Sequence, residues 1–114
     1  MLAIYCSAWD EGGAERSKMG NQEKRGRRYG LSINVPATDC IIYRDTLVER
    51  GQERPGYNRL CQDISNGKIS EVWARDHVRL HPFGRGEKKA FESLCIEKGV
   101  AVSFGTEFRL TTTS

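Results

Sequence analysis

Short apolar runs alternate along this chain with longer polar or amphipathic segments. The apolar runs are bounded by polar residues or glycine and predict buried strands at residues 2–6, 40–43, 69–74 and 100–104. The segments between them predict helices at residues 21–30, 54–66 and 87–98. This alternation of strand and helix is typical of a mainly parallel sheet covered by helices, with right-handed crossovers. Because functional groups in such sheets collect at the carboxyl ends of the strands, we expect a site at that edge.

The three helix predictions rest on different signals. Residues 21–30 are polar and strongly basic and contain Gly26, which weakens a helix. Residues 54–66 carry Pro55 where a first helical turn accepts proline, and Gly67 follows where a helix ends. The apolar residues that share a helix face are Tyr57, Leu60, Cys61 and Ile64 in this segment and Ala90, Phe91, Leu94 and Cys95 in residues 87–98.

Length and composition indicate an ordinary globular domain. A chain of 114 residues is expected to form one domain with a single core. Its 38% hydrophobic and 29% charged residues exclude collagen-like and disordered classes. No stretch approaches the roughly 18 consecutive apolar residues of a membrane span, and the N-terminal segment lacks the basic region and cleavage site of a signal peptide. We therefore expect a cytoplasmic protein without membrane association.

Cysteine and histidine spacing argues against a metal site. The four cysteines lie far apart and form no CxxC pair; they are Cys6, Cys40, Cys61 and Cys95. With no histidine at metal-binding spacing, reduced thiols in the core are the expected state, and neither a metal nor another cofactor is expected. His77 and His81 lack a third ligand, so we expect solvated loop histidines.

Positive charge is concentrated in one place rather than spread over the chain. The net charge of +3 and the pI near 8.8 are too mild to argue for nucleic-acid binding by themselves. Residues 24–28, KRGRR, nevertheless place four cations close together. Such a cluster is usually a solvated helix face, but Lys24, Arg25 and Arg28 are also candidates for contacts to phosphate.

Several short motifs follow one another in a fixed order. They are AIYC at 3–6, NQ at 21–22, YRD at 43–45, ERPGYNRLCQDISNGKI at 53–69, RL at 79–80, EKGV at 97–100 and TEFRLTTTS at 106–114. In this order and spacing the chain resembles the N-terminal catalytic domain of the serine recombinases, the family of resolvases, invertases and phage integrases. The resemblance implies a resolvase-like three-layer α/β fold with a mainly parallel four- to five-stranded sheet. It also implies DNA strand exchange by phosphoryl transfer.

The resemblance assigns a nucleophile to the loop after the first strand, where this chain differs from the family. In the family a serine hydroxyl attacks the DNA phosphate and forms a phosphoserine link, while arginines neutralise the developing charge without a metal. The family motif Tyr-x-Arg-Val-Ser reads YCSAW at 5–9 here, so Ser7 stands at the arginine position and Trp9 at the nucleophile's. Two positions along a strand span about 6–7 Å, whereas attack needs about 3–3.5 Å, so Ser7 replaces the nucleophile only if the loop is rebuilt.

A second family motif is also altered. The family's Asp-Arg-Leu-Ser/Gly-Arg reads VRLHP at 78–82, which keeps Arg79 and replaces the second arginine with Pro82. Arg85 lies three residues further on and is a candidate substitute. If each phosphate-binding donor stabilises the transition state by about 3–4 kcal/mol, losing two slows the reaction by about 10⁴- to 10⁶-fold. Asp45 and Arg54 match family positions, so the chain keeps groups that could hold a phosphate.

These observations support three hypotheses. The first is a degenerate, cleavage-deficient serine recombinase domain, of phage or mobile-element origin, that keeps the fold and weak phosphate affinity. The second is an active recombinase with a rebuilt site; its catalytic candidates are Ser7, Arg54 and Arg79, with Arg85 as a further phosphate ligand. The third is an interaction module that docks on an intact recombinase through the family's oligomerisation surface. For Ser7 the plain alternative is a loop hydroxyl bound to the backbone, and for Arg54 and Arg79 it is surface ion pairing.

The resemblance also bears on domain organisation and partners. In the family a long dimerisation helix and a DNA-binding domain follow the TTT segment, and this sequence stops at Ser114. Residues 1–114 are therefore expected to be a single catalytic-type domain without specific base readout. The expected partners are DNA, a second copy of the chain or other recombinase subunits.

Overall fold

The computed structural model describes residues 1–8, 13–46, 53–82 and 85–105. All seven elements that the sequence predicts are present. The strands are β1 Leu2–Ala8, β2 Cys40–Thr46, β3 Glu71–Ala74 and β4 Ala101–Phe104. The helices are α1 Gly13–Ser32, α2 Pro55–Ser65, α3 His77–Leu80 and α4 Arg85–Lys98, with a 3₁₀ turn at Ala37–Asp39. The turn and α3 are additions to the prediction, because elements of three or four residues carry no periodicity.

The sheet has the order β2-β1-β3-β4, and every neighbouring pair runs parallel. This confirms the expected fold class, with four strands in the described part of the chain. β1 pairs with β3 only as far as Tyr5, which lies opposite Ala74. Its last residues, Ser7 and Ala8, continue to pair with β2. The carboxyl end of β1 therefore projects beyond β3, which leaves one edge of its backbone to other partners.

The single core expected from the chain length is divided by the sheet, because alternating side chains of β1 build one core on each of its faces. One core contains Leu2, Ile4, Cys6 and Trp73 and is closed by Tyr29 of α1. The opposite core contains Ala3 and Tyr5 with residues of α2 and α4; the helix members are Tyr57, Leu60, Ile64, Phe91 and Cys95. Helices thus cover both faces of the sheet, which gives the three expected layers. Ala90 departs from the prediction, because it is exposed rather than part of the α4 core face.

Gly26 explains how a polar, basic helix packs tightly on the sheet. A Cβ atom at residue 26 would overlap Ile4 Cγ2 and lie 3.0 Å from Trp73 Cε3. The helix backbone therefore touches the sheet at this point, and only glycine permits so close an approach. The residue that weakens the helix prediction in sequence is the one that lets α1 pack.

The four cysteines, all within the described residues, are free thiols as predicted. Cys6 and Cys95 are buried, and burial raises their pKa to about 12 and about 11. Cys40 and Cys61 are half-buried. At neutral pH the buried pair is protonated and behaves as small apolar side chains.

Candidate active site and basic cleft

The carboxyl edge of the sheet brings together four residues that the sequence singles out. Ser7 is the second-last residue of β1 and lies opposite Asp45 of β2. Arg54 immediately precedes α2, and Arg79 lies in α3. The Tyr5 hydroxyl bonds to both Asp45 and Arg54, and Arg79 donates to the Ser7 carbonyl, so the backbone of β1 holds the four residues in one group. Arg85 lies outside this group, exposed at the first residue of α4. Trp9, the residue at the expected nucleophile position, lies outside the described residues.

Ser7 is held at every polar atom. Its hydroxyl donates to the Arg79 carbonyl at 2.6 Å, and its carbonyl accepts from Arg79 Nη1 at 2.9 Å. Gln22 of α1 occupies the open backbone edge, accepting from Ser7 N at 3.1 Å and donating to Ser7 O at 2.9 Å. The Gln22 amide thus replaces a neighbouring strand, and Ser7 is only 2% exposed. Its hydroxyl is buried and committed to a backbone acceptor, so it is not presented to a ligand.

Asp45 organises the start of α2. Its carboxylate accepts from Gly56 N and Tyr57 N, each at 2.8 Å, and from the Tyr5 hydroxyl at 2.6 Å. The first two donors are amides of the first turn of α2, which have no acceptor within the helix, so Asp45 caps α2 from the neighbouring strand. A Cβ at residue 56 would lie 2.5 Å from the Arg44 carbonyl oxygen, and glycine there lets α2 approach β2. Burial is the main cause that raises the pKa of Tyr5, so its hydroxyl stays a donor.

Arg54 is buried, in contrast to the surface ion pair that its sequence position suggests. It is 4% exposed, and its Nη1 donates to the Tyr5 hydroxyl at 3.0 Å and to the Leu80 carbonyl at 3.1 Å. Its Nη2 pairs with the Glu87 carboxylate, and the guanidinium carbon lies 3.9 Å from the centre of the Tyr57 ring. A buried cation needs such compensation, since an unpaired charge in the interior is costly. Arg54 therefore ties α2 to β1, α3 and α4.

His81 corrects the expectation of a solvated loop histidine. It is buried, its Nε2 lies 3.2 Å from the Tyr57 hydroxyl, and its ring packs edge-on against Phe91. Burial lowers the pKa of His81 to about 4, helped by nearby positive charges, the largest effect being that of Arg54. His77 is exposed, as expected, although its ring centre lies 4.0 Å from that of Phe104.

The buried imidazole should make the domain sensitive to acid. The pKa of His81 is about 4 in the folded state, and its ordinary value, taken for the unfolded chain, is 6.5. Between pH 6.5 and about 4 the unfolded chain therefore binds a proton at this residue and the folded domain does not. We expect His81 to lower the free energy of unfolding by up to about 3 kcal/mol over that interval. Urea unfolding at several pH values should show a flatter pH profile for His81→Gln than for the wild type. The matched variant His77→Gln should keep the wild-type profile; equal profiles for both variants would contradict the assignment.

A basic cleft of about 560 Å³ adjoins this site. Its lining residues come from α1 and from the end of β3; they are Lys18, Asn21, Gln22, Lys24, Arg25, Arg28 and Arg75. Among these described residues five are cations and none is acidic, although Arg75 Nε lies 3.6 Å from the carboxylate of Asp76 outside the lining. Gln22 connects the cleft to Ser7, and Arg25 donates to the Gly105 carbonyl. The sequence cluster supplies Lys24, Arg25 and Arg28, while Lys18 and Arg75 join only through the fold.

Glu23 holds Arg27, one of the four cations at residues 24–28, outside the lining of the cleft. It accepts from Arg44 Nη2 at 2.9 Å and lies 3.8 Å from Arg27 Nη1. The hydrogen bond to Arg44 is the first cause that lowers the pKa of Glu23, so the carboxylate remains charged. Arg27 is thereby placed away from the cleft, and the remaining cations face a common space.

Two absences concern only the residues that the structure describes. Among them, no group of three or more His, Cys, Asp or Glu side chains is arranged to hold a metal ion. In the same residues, no helix is both long and apolar enough to cross a membrane.

Comparison with solved structures identifies the fold. The C-terminal catalytic domain of ISC1926 TnpA, an IS607-like serine recombinase, matches with a TM-score of 0.77 at 16% identity, over 92% of this chain and 70% of that chain. The N-terminal catalytic domain of TP901-1 integrase matches with a TM-score of 0.71 at 20% identity, over 90% and 76%. A resolvase family site-specific recombinase from Streptococcus pneumoniae matches with a TM-score of 0.66 at 20% identity, over 91% and 70%. No protein-family model and no curated protein matches the sequence. The chain has the fold of a serine recombinase catalytic domain, which confirms the fold that its motifs imply.

Proposed function

We propose that this recombinase-like domain binds the phosphodiester backbone of DNA in its basic cleft and does not cut it. DNA binding is suggested by a fold shared with serine recombinase catalytic domains and by the position of the cleft beside the carboxyl edge of the sheet. The absence of cleavage is suggested by the residues at that edge. The domain would act as a cleavage-deficient member of a recombination system.

The composition of the cleft supports a polyanionic ligand. Five cations line the cleft and none of its described lining residues is acidic, so the potential there is positive, and binding a phosphate chain releases condensed counterions. The exposed Asn21 adds an uncharged donor, which positions a backbone without reading its sequence. Such a surface favours binding that depends strongly on salt and little on base sequence.

The proposal that the domain does not cut DNA rests on the position of the Ser7 hydroxyl. It is the hydroxyl nearest in sequence to the expected nucleophile position, which is occupied by Trp9, and it is buried in a 2.6 Å bond to the Arg79 carbonyl. An indole has no atom able to attack phosphorus. Pro82 removes a second arginine, and the Arg54 guanidinium already binds Tyr5, Leu80 and Glu87. These groups are suited to holding the local fold rather than to phosphoryl transfer.

The alternative hypothesis is an active recombinase with a rebuilt site, and it requires these residues to give up the contacts described above. It requires Ser7 to break its bond to Arg79 and to lose the backbone support of Gln22. Arg85 would also have to turn inward from an exposed position at the start of α4. Breaking the Ser7 bonds leaves buried donors and acceptors unsatisfied, which costs about 1–3 kcal/mol per unsatisfied group.

Salt-dependent DNA binding tests the proposal. We expect Lys24→Gln to weaken binding to a random-sequence duplex and to lower the slope of log K against log salt by about 1, because one phosphate contact is lost. Fluorescence anisotropy over a range of salt concentrations measures both quantities. Lys89→Gln is the matched control, since Lys89 is exposed on α4, on the opposite face of the sheet from α1. Equal slopes for the two variants, or no binding by the wild type, would contradict a DNA-binding role for the cleft.

A further inference from the structure

The two ends of the Arg54 guanidinium have partners of different kinds. Nη1 points into the protein, where it donates to the Tyr5 hydroxyl and the Leu80 carbonyl. Nη2 pairs with the carboxylate of Glu87, in the first turn of α4. The Glu87 side chain is 23% exposed, against 4% for Arg54. Of the side chains bonded to this guanidinium in the described residues, Glu87 is therefore one that solvent reaches.

We infer that Glu87 is an internal competitor for an oxyanion at Arg54, so that a phosphate binds this guanidinium by displacing the Glu87 carboxylate. The inference rests on the proposed function, because it concerns how the same carboxyl edge of the sheet handles phosphate. Carboxylate and phosphate oxygens accept the same charge-assisted hydrogen bonds from a guanidinium. The two anions therefore exclude each other at Nη2.

The exchange leaves the rest of the site in place. Arg54 keeps its two Nη1 bonds and its contact with the Tyr57 ring, so the guanidinium stays oriented while its outer partner changes. A carboxylate fixed by the fold has a high effective concentration, and it raises the apparent dissociation constant of a competing anion in proportion. Glu87 thus sets how weakly Arg54 binds phosphate.

Two variants that remove the same charge test this role. Glu87→Gln should bind inorganic phosphate about tenfold more tightly than the wild type, measured by calorimetric titration at constant ionic strength. Glu92→Gln is the matched control, because Glu92 is exposed on the same helix. Its phosphate affinity should stay within about twofold of the wild type. Equal affinities for the two variants, or no phosphate binding by Glu87→Gln, would overturn the inference.

A measurement on the wild-type protein covers the case in which Glu87→Gln fails to fold. Phosphate addition should shift the carboxylate carbon resonance of Glu87 and leave that of Glu92 unchanged. A Glu87 resonance that stays fixed at high phosphate rejects the displacement. The response of the Glu87 resonance is independent of the DNA-binding measurement on the basic cleft. DNA binding through Lys24 with a fixed Glu87 signal defeats this inference alone, and displacement of Glu87 without DNA binding defeats the proposed function alone.

Discussion

Asp45→Ala is expected to lower the free energy of unfolding by about 3–5 kcal/mol, since it removes one acceptor shared by three donors. The Tyr5 hydroxyl is fully buried and loses its acceptor, and the amides of Gly56 and Tyr57 lose the carboxylate that caps α2. The Tyr5 hydroxyl also accepts from Arg54, so the loss reaches the buried cation. Urea unfolding monitored by circular dichroism measures the change.

Asp39→Ala is the matched control for this prediction. Asp39 is exposed in the 3₁₀ turn and carries the same charge. Its loss should change stability by no more than about 0.5 kcal/mol. If both variants unfold at the same urea concentration, Asp45 does not organise the start of α2. The free energy of unfolding of Asp45→Asn should lie between those of Asp45→Ala and Asp39→Ala. The asparagine amide keeps one oxygen acceptor but turns its NH₂ donor toward the remaining donors.

The sequence is a good guide to the elements of this fold and a poorer guide to their ends. The strand prediction for β1 stops at Cys6 because Ser7 is polar, yet the strand continues to Ala8. The extension depends on Gln22, fifteen positions away, whose amide pairs with the Ser7 backbone. No local pattern reports a side chain that acts as a strand partner. The motif NQ at 21–22 is the one signal that could have pointed to it.

The candidate site shows a similar division between local and distant information. The motifs identify Ser7, Arg54 and Arg79, and the parallel topology explains why they lie at one edge. What surrounds them depends on pairs far apart in sequence, such as Arg54 with Glu87 and Tyr57 with His81. Glu87 looks like an ordinary charge in the first turn of a helix. His81 looks like a loop residue, because the four-residue α3 that buries it leaves no periodic signal.

Covalent attachment to DNA is the second large effect, because it separates a cutting enzyme from a binding domain. Trypsin cleaves after Arg16, so residues 1–16 form one peptide that contains both Ser7 and Trp9. A serine-linked intermediate would leave nucleotides on this peptide through a phosphoserine bond. A pool of short duplexes with randomised central sequence removes the need to know a target site.

The most direct measurement is therefore mass spectrometry of peptide 1–16 after the protein has been incubated with this pool, denatured in detergent and stripped of unbound DNA. We expect only the unmodified peptide, from the wild type and from Ser7→Ala alike. A nucleotide adduct on the wild-type peptide that disappears in Ser7→Ala would show that the Ser7 hydroxyl attacks phosphate, and the domain would then be a cutting enzyme.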